Sequence, residues 1–379
     1  MIRVVMFSRF PEDVNKPRGG VETATLGLMR GLQALGTVEL HLVTLEKGRS
    51  EAVVESSLGA TIHRLPAPGW PMFIDLLVGP GKRLLKQYIL DLKPDIVHFQ
   101  ETYGLGASGY AVPVVFTVHG FDSLNLVTEQ SWMWWIRSKI WRRVEGFGLS
   151  RQSAIVSITP YVNDEIASRT RSKIYDIENA IAEKYFVLEH REEPGRIFYA
   201  GWINPRKNLA TLVRTVAELK QRGVAVKLYA AGEASDAEYH RLVLQTIDDL
   251  GVADEVVMLG RVGQDEIMNQ LAKAALFVLP SLQENAPMAI AEAMATGVPV
   301  ISSNVCGMPY MIEEGRTGYL VEPNDYRAYA DRIEALVGDD TLRQTFSSAA
   351  KEEARRRYHP ESVAAKTVDL YQTLIAQQA

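Results

Sequence analysis

The feature of this sequence that most constrains its fold is an alternation of short apolar runs with longer amphipathic segments. Val21–Leu35 has the apolar spacing of a helix, and Gly36 is suited to ending it. Short β-branched runs separated by such segments are typical of a parallel sheet with crossover helices. The strands predicted in the first half of the chain are Ile2–Phe7, Val38–Thr44, Asp95–His98, Val114–Thr117 and Ala154–Ile158.

The same pattern starts again after Arg191–Gly195, a charged stretch that ends in two breaker residues and that we interpret as a linker and a candidate hinge. The elements predicted beyond it are strands Ile197–Ala200, Val226–Ala231, Val256–Leu259, Ala275–Leu279 and Val300–Ser302, and helices Asn208–Arg222, Asp236–Leu250, Gln264–Ala272 and Pro287–Thr296.

The length of the chain indicates how these elements are grouped. At ~150 residues per domain, 379 residues favour two domains. We predict an α/β protein with two Rossmann-like, doubly wound domains facing across a crevice. The predicted boundaries are 1–190 for the N-terminal domain, 191–358 for the C-terminal domain, and 359–379 for a last helix that packs back on the N-terminal domain.

Composition narrows the possible partners and compartments. A net charge of −5 provides no bulk attraction for nucleic acid. The single cysteine, Cys306, allows neither an intramolecular disulfide nor a cysteine-based metal site. The opening residues include Arg3 and Arg9 and lack an apolar core, so they predict a first strand rather than a signal peptide. Since Thr102–Val118, the longest uncharged stretch, is too polar to span a bilayer, we expect a cytoplasmic protein.

Two glutamates stand in the most informative segment of the sequence. Glu284 lies in the predicted loop after a buried strand, and Glu292 lies over one turn inside the following helix. Asn285 is a candidate N-cap for that helix, and Pro287 suits its first turn. Free N–H groups at such a helix start form an anion site. The backbone expected to supply this site comprises Asn285, Ala286, Pro287 and Met288.

A loop carboxylate and a helix carboxylate beside an anion site suit a nucleotide-diphosphate sugar as ligand. One of the two carboxylates would accept hydrogen bonds from the hydroxyls of the sugar, and the other from those of the ribose. The diphosphate would lie on the N–H groups between them. The alternative is that both glutamates are solvated acids without a ligand, and their spacing alone does not decide between the two interpretations.

The string S-x-x-E-N-A-P-x-x-x-x-E-A-M-A-x-G-x-P-V, which begins at Ser281, resembles the glutamate-pair signature of the retaining family 4 (GT4) glycosyltransferases. The resemblance implies their two-domain GT-B fold, and it covers nearly the whole chain. The other segments that carry it are Arg18–Glu22, Pro94–His98, Val118–Gly120, Pro205–Asn208, Val256–Gly260 and Glu313–Val321.

The resemblance also implies roles for residues outside the glutamate pair. Gly19 and Gly20 would face the donor phosphate and the acceptor. Lys207, assisted by Arg206, would stabilise the departing diphosphate, and His119 would contact the transferred sugar near the reaction centre. The structural alternatives are a flexible loop, solvated charges at a helix start and a hydrogen-bonded core histidine. Cations are disfavoured at a helix N-terminus, which favours a functional role for the basic pair.

Residues near the expected nucleotide base complete the candidate donor site. Gly232 is expected to shape the nucleotide pocket, and the backbone of Arg261 and Val262 to contact the base. The chain departs from the family at Trp202, where the family commonly has a phosphate-binding arginine. Either Arg206 replaces that arginine, or the donor site is weakened. Because no D-x-D string and no metal-ligand spacing occurs, we expect no metal and no cofactor.

The segment Trp132–Arg143 combines tryptophans with basic residues, as interfacial helices do. On a helical wheel Trp132, Met133, Ile136 and Ile140 share one face, but the basic residues scatter around it. This poor segregation favours a buried packing helix. The second interpretation is a contact with a membrane surface or a lipid-linked acceptor.

These observations favour a retaining glycosyltransferase with a UDP- or GDP-sugar donor and no nucleic-acid partner. The expected acceptor is a glycan or lipid-linked glycan in the synthesis of cell-surface polysaccharide or lipopolysaccharide, at the inner face of the cytoplasmic membrane. The alternatives are a soluble small-molecule acceptor, a donor-binding partner protein with weak catalysis, and a nucleotide-sugar epimerase of the same fold.

Overall fold

Residues 1–67, 69, 71–100, 102–130 and 132–378 are described by a computed structural model of the chain. The contacts among them divide the chain into two units. The N-terminal unit comprises Met1–Asp122, Lys139–Ala182 and Tyr358–Ala379, and the C-terminal unit comprises Ser123–Ser138 and Glu183–Arg357. Neither unit is a continuous stretch of chain.

A twisted sheet forms the centre of the N-terminal unit. Its strands are β1 (Ile2–Phe7), β2 (Val38–Glu46), β3 (Val53–Ser57), β4 (Ala60–Pro66), β5 (Ile96–Phe99), β6 (Val114–Val118), β7 (Ala154–Ser157) and β8 (Lys173–Asp176). They are ordered β3-β4-β2-β1-β5-β6-β7-β8, and only β3 runs antiparallel to its neighbour. The central strands are almost wholly buried, as continuous β-branched runs predict for a sheet covered on both faces.

The C-terminal unit contains a second sheet, in which every neighbouring pair of strands is parallel. Its strands are β9 (Arg196–Ala200), β10 (Lys227–Ala231), β11 (Val256–Gly260), β12 (Leu276–Leu279), β13 (Val300–Ser303) and β14 (Gly318–Val321). Their order is β11-β10-β9-β12-β13-β14. Strands β9 and β12 are therefore neighbours, and the loops that follow them lie at the same edge of the sheet.

Helices connect the strands of both sheets. In chain order they are α1 (Gly20–Leu35), α2 (Met72–Val78), α3 (Gly81–Asp91), α4 (Asp122–Glu129), α5 (Trp134–Leu149), α6 (Pro160–Ala167), α7 (Leu209–Gln221), α8 (Ala237–Asp249), α9 (Gln264–Lys273), α10 (Met288–Thr296), α11 (Tyr326–Val337), α12 (Asp340–Tyr358) and α13 (Pro360–Gln378).

Helix α13 packs against α1 inside the N-terminal unit. The two helices come into close contact at Gly31 of α1, where an added Cβ would lie 2.2 Å from the carbonyl oxygen of Pro360. Val363, Ala364 and Tyr371 of α13 belong to the same hydrophobic core as the apolar residues of α1. The N-terminal core is therefore completed by residues from the far end of the sequence.

The strands and helices predicted from the apolar pattern are all present, with their ends shifted by at most two residues. The pattern did not predict β3, β4, β8 and β14. Strand β3 is exposed over most of its length, so its sequence lacks the alternation of apolar and polar residues that indicates a half-buried strand. The α/β fold class is confirmed.

The segment Trp132–Arg143 is only partly the buried packing helix that the sequence favoured: the ring of Trp141 packs against Phe73, with the ring centroids 4.7 Å apart, but much of the rest lies at the surface. The side chains of Trp132 and Trp135 are 81% and 55% exposed, and Ile140 is exposed as well. The helix begins only at Trp134, after a left-handed Met133, so the four apolar residues do not share one helical face. Among the described residues, no helix is both long and apolar enough to cross a bilayer.

Candidate functional site

The loop between β12 and α10 carries the first glutamate of the pair. Helix α10 begins at Met288, and Pro287 occupies its N-cap position with a φ of −64° and no side-chain cap. The prediction that Asn285 caps the helix is therefore wrong, because the helix starts too late for its side chain. Asn285 is buried, and its side-chain oxygen accepts a hydrogen bond from Gln283 Nε2 at 3.4 Å.

Two backbone hydrogen bonds hold this loop in place. The N–H of Gly307 donates to the carbonyl of Glu284 at 2.8 Å, and the N–H of Leu282 donates to the carbonyl of Arg206 at 2.8 Å. A Cβ on Gly307 would lie 1.6 Å from the carbonyl oxygen of Asn285. Only glycine therefore allows the segment after β13 to approach the loop this closely.

Gly307→Ala is expected to displace the loop and to lower the free energy of unfolding by about 1–3 kcal/mol, the usual cost of overpacking. Binding of a nucleoside diphosphate should weaken in the same variant, because Glu284 moves with the loop. Thermal unfolding and calorimetric titration measure the two effects. The matched control is Gly263→Ala, which has open space around its Cβ and a negative φ. Equal stability of the two variants would contradict the expectation.

The residues after β9 place two cations against Glu284. Lys207 Nζ lies 2.6 Å from Glu284 Oε1, and Arg206 Nη1 lies 2.6 Å from the same oxygen. Arg206 also donates to the carbonyl of Gln283 at 3.0 Å. The cations sit on a short helical turn, Pro205–Lys207, where the side chain of Asn204 accepts a hydrogen bond from Lys207 N at 3.1 Å.

The electrostatics of this cluster fix the charge of Glu284. Burial by itself raises the pKa of the Glu284 carboxyl, but Lys207 and Arg206 outweigh that effect and hold the pKa below its ordinary value. Burial lowers the pKa of the Lys207 ammonium group, against the opposing pull of Glu284. Glu284 is thus an ionised carboxylate that can only accept hydrogen bonds.

Glu292, the second glutamate, has the opposite environment. Burial on α10 raises the pKa of its carboxyl to about 7, although a hydrogen bond from the Tyr185 hydroxyl acts in the other direction. Tyr185 itself is buried, and its hydroxyl accepts a hydrogen bond from Gln264 Nε2 at 3.4 Å. Below about pH 7, Glu292 is therefore mostly protonated and neutral in the free protein, whereas Glu284 is ionised.

Because the pKa of Glu292 is raised on folding, its protonated form stabilises the native state, and this stabilisation is lost as pH rises from about 4.5 to about 7. Glu292→Gln is therefore expected to be more stable than the wild type at pH 8, by at most about 3 kcal/mol. The difference should shrink toward pH 5. Calorimetric unfolding of both proteins between pH 5 and pH 8 measures it, and a difference that does not change with pH would refute this assignment.

In the N-terminal unit, His119 follows β6 and is held by a chain of hydrogen bonds. Burial lowers the pKa of His119 to about 4 and that of His98 to about 3, so both rings are neutral at pH 7. His119 Nε2 lies 2.6 Å from Gln100 Oε1, an acceptor, so this nitrogen carries the proton. The amide nitrogen of Gln100 lies 3.2 Å from His98 Nε2. Gln100, which sequence reasoning missed, orients His119.

The glycine pair of the N-terminal unit lies at the start of α1. Gly19 has a φ of 95° and occupies the N-cap position, and Gly20 is the first residue of the helix. The carboxylate of Glu22 accepts a hydrogen bond from the N–H of Arg18. The hydrogen bond between Arg18 and Glu22 therefore connects the glycine loop to the first turn of α1.

The candidate base-binding residues follow β10 and β11. The N–H of Gly232 donates to the carbonyl of Gly260 at 2.8 Å. Arg261 is exposed and lies 3.4 Å from Glu233, and Val262 is half-buried. Trp202 is partly exposed, and its carbonyl accepts a hydrogen bond from the Tyr199 hydroxyl at 3.0 Å.

Three further polar residues belong to this region and were not predicted. Ser281 has a fully buried hydroxyl that makes no hydrogen bond to any described residue. Tyr185 contacts Glu292, and Glu129 lies 3.4 Å from Arg206. No sequence pattern marks Glu129 or Tyr185, but Ser281 begins the glutamate-pair string. Among the described residues, no group of three or more His, Cys, Asp or Glu side chains could hold a metal ion.

The C-terminal unit thus presents a cation pair, an ionised carboxylate and a helix start at the carboxyl edge of a parallel sheet. Such an arrangement is chemically suited to an anionic ligand at the edge of the sheet that follows β9 and β12. Two family models match the chain: Glycosyltransferase Family 4 over residues 18–184, and Glycosyl transferases group 1 over residues 181–353. The chain belongs to the GT4 family of retaining glycosyltransferases, which use nucleotide-sugar donors.

The names of two similar proteins are consistent with this family. A D-inositol 3-phosphate glycosyltransferase from Nocardioides sp. is 30% identical over 198 residues, which are 49% of this chain and 43% of that protein. An N-acetyl-alpha-D-glucosaminyl L-malate synthase from Bacillus anthracis is 26% identical over 69% of this chain and 68% of that protein. The chain thus matches less than half the length of the Nocardioides protein.

Solved structures share the GT-B fold over the full length of the chain. Sucrose-phosphate synthase from Thermosynechococcus elongatus superposes with a TM-score of 0.82 at 19% identity, covering 100% of both chains. Anabaena HepE, solved in complex with UDP and glucose, has a TM-score of 0.71 at 16% identity over 99% of this chain and 100% of that chain. WaaG, a glycosyltransferase involved in lipopolysaccharide biosynthesis, has a TM-score of 0.69 at 15% identity over 97% of this chain and 99% of that chain.

Proposed function

We propose that this glycosyltransferase moves a sugar from a UDP- or GDP-sugar to a glycan or a lipid-linked glycan in the synthesis of cell-surface polysaccharide or lipopolysaccharide. The donor binds the C-terminal unit, and the acceptor binds the N-terminal unit. The observation that carries the donor half of the proposal is the buried cluster of Arg206, Lys207 and Glu284.

The chemistry of that cluster suits a diphosphate leaving group. As the glycosidic bond breaks, negative charge develops on the departing diphosphate, and the Lys207 and Arg206 cations stabilise it. Both cations contact Oε1 of Glu284, which leaves Oε2 as the oxygen that accepts hydrogen bonds from the donor sugar. Glu292 accepts hydrogen bonds from the ribose hydroxyls, and the neutral ring of His119 forms a hydrogen bond with the transferred sugar.

The remaining donor contacts come from backbone. The residues around Gly232, Arg261 and Val262 hold the base, and those from Asn285 to Met288 hold the diphosphate at the start of α10. Gly19 and Gly20 allow the acceptor and the phosphate to approach the start of α1.

Thermal unfolding in the presence of UDP, GDP, ADP, dTDP or CMP tests the donor class. A nucleotide at ~100 times its dissociation constant adds ~2.7 kcal/mol to the free energy of unfolding. We expect UDP or GDP to raise the melting temperature and the others to do so less. A protein that none of them stabilises would argue that the Arg206–Lys207 cluster is not a diphosphate site.

The surface of α5 supports a membrane-associated acceptor. Its exposed residues include Trp135, Ile140 and Phe147 together with basic residues, and its one acid, Glu145, is buried against Arg169. The exposed basic residues between Trp132 and Arg143 are Arg137, Lys139, Arg142 and Arg143. Aromatic and cationic side chains together bind the interface of anionic bilayers. We therefore propose that the protein acts at the inner face of the cytoplasmic membrane.

Co-sedimentation with anionic vesicles tests this surface. The wild type should sediment with phosphatidylglycerol vesicles and not with phosphatidylcholine vesicles, and Trp132→Ala combined with Trp135→Ala should weaken the association. Val53→Ala combined with Val54→Ala, on the exposed strand β3, is the control for loss of exposed apolar surface. An absence of vesicle binding would favour a soluble acceptor, which the names of the inositol phosphate and malate transferases also support.

A further inference from the structure

Arg206 contacts a second carboxylate besides Glu284. Its Nε lies 3.4 Å from Oε1 of Glu129, the last residue of α4. Glu129 belongs to Ser123–Ser138, the segment of the first half of the chain that is part of the C-terminal unit. The cation pair therefore faces one acid from the donor loop and one acid from a different part of the sequence.

The four charges of this cluster already balance. Arg206 and Lys207 supply two positive charges, and Glu284 and Glu129 supply two negative charges. The diphosphate of a donor adds further negative charge at a largely buried place, where unpaired charge is costly. A diphosphate that binds these cations must therefore take the place of one of the two carboxylates.

The structure distinguishes the two carboxylates. The side chain of Glu284 is 11% exposed, contacts both cations at 2.6 Å and stands on the loop that Gly307 holds. The side chain of Glu129 is 32% exposed and contacts one cation at the longer distance of 3.4 Å. Glu129 is also the last residue of α4, and the next residue, Gln130, has a left-handed backbone with a φ of 47°. Glu129 is the carboxylate that can leave at lower cost.

We propose that Glu129 is an internal competitor for the donor diphosphate, whose carboxylate occupies Arg206 until the diphosphate takes its place. This inference rests on the proposed role of Arg206 and Lys207 as the diphosphate site. It makes Glu129 a specificity-determining residue. A ligand with less negative charge gains less free energy from contact with Arg206, so it displaces the Glu129 carboxylate less readily. Ligands with a diphosphate are thereby favoured over monophosphates and free nucleosides.

Calorimetric titration of the full-length protein with UDP, UMP and uridine tests the proposal, with GDP, GMP and guanosine as the second series. Glu129→Gln should bind the diphosphate about three- to fivefold more tightly than the wild type, the size of effect expected for one partly exposed ion pair. The gain should be smaller for the monophosphate and absent for the nucleoside. A purely structural role for Glu129 would give no gain in affinity.

The matched control is Glu334→Gln, which removes a surface carboxylate 3.0 Å from Arg222 at the other end of α7 and should leave all affinities unchanged. Unchanged or weaker diphosphate binding by Glu129→Gln would overturn the proposal. Lys207→Met separates this failure from failure of the proposed function. If Lys207→Met loses diphosphate affinity while Glu129→Gln gains none, only the competition is wrong; if Lys207→Met binds as the wild type does, both assignments are wrong.

Discussion

Glu284→Gln is expected to lower kcat by about 10²–10³-fold, the size of effect found when a preorganised electrostatic group is removed. The amide keeps the shape of the side chain but removes the negative charge that faces Lys207 and Arg206. It also replaces one hydrogen-bond-accepting oxygen with a donor, so the donor sugar loses an acceptor. Initial rates with sugar donors of the nucleotide that thermal unfolding identifies measure the loss.

The same substitution leaves two cations largely buried without their shared carboxylate. Breaking a buried ion pair costs roughly 3–5 kcal/mol, so the stability of the variant must be measured beside its activity. The control is Glu218→Gln, which removes a carboxylate 3.0 Å from Arg222 on the surface of α7. If folded Glu284→Gln turns over within tenfold of the wild type, Glu284 does not contact the donor sugar.

Lys207→Met should cost about 10²–10³-fold in kcat/KM, because in the proposed mechanism its ammonium group neutralises the leaving diphosphate. Methionine fills a similar volume, and Arg206 still pairs with Glu284, so the fold should tolerate the change better than it tolerates Glu284→Gln. Lys207→Arg should restore little activity, since a planar guanidinium does not replace a compact buried ammonium group.

The affinity for nucleoside diphosphates gives the second measurement on Lys207→Met. Calorimetric titration should show weaker diphosphate binding and an unchanged affinity for the free nucleoside. Lys351→Met, at a half-buried lysine of α12 outside the cation pair, is the control for loss of one positive charge. Equal losses for the nucleoside and the diphosphate would indicate a collapsed pocket rather than a missing charge.

The sheets could be predicted from the sequence because their strands are buried on both faces. β12, for example, is an unbroken run of buried apolar residues, and burial alone indicates such a strand. Strand β3 could not be predicted, since its residues are exposed and its pairing depends on β4 rather than on a core. The exposed face of α5 was also unpredictable, because the same apolar spacing is typical of a buried helix.

The candidate site could be predicted in its residues but not in its contacts. Glu284 and Arg206 are 78 residues apart, and only the adjacency of β9 and β12 brings them within hydrogen-bonding distance. Glu129 comes from another region of the sequence with no motif of its own. The predicted cap at Asn285 failed because Pro287, rather than the first polar residue, determines where α10 begins.

The return of α13 to α1 sets the order in which the nascent chain can mature. Translation of the residues between Ala182 and Tyr358 takes roughly 10–35 s at ~5–20 residues per second, and during that time the first core lacks the residues that cover α1. The hydroxyl of Tyr371, on α13, lies 2.6 Å from His98 Nδ1, in the hydrogen-bond chain that orients His119. On the ribosome, the N-terminal unit is therefore begun first but completed last, when α13 becomes available to cover α1.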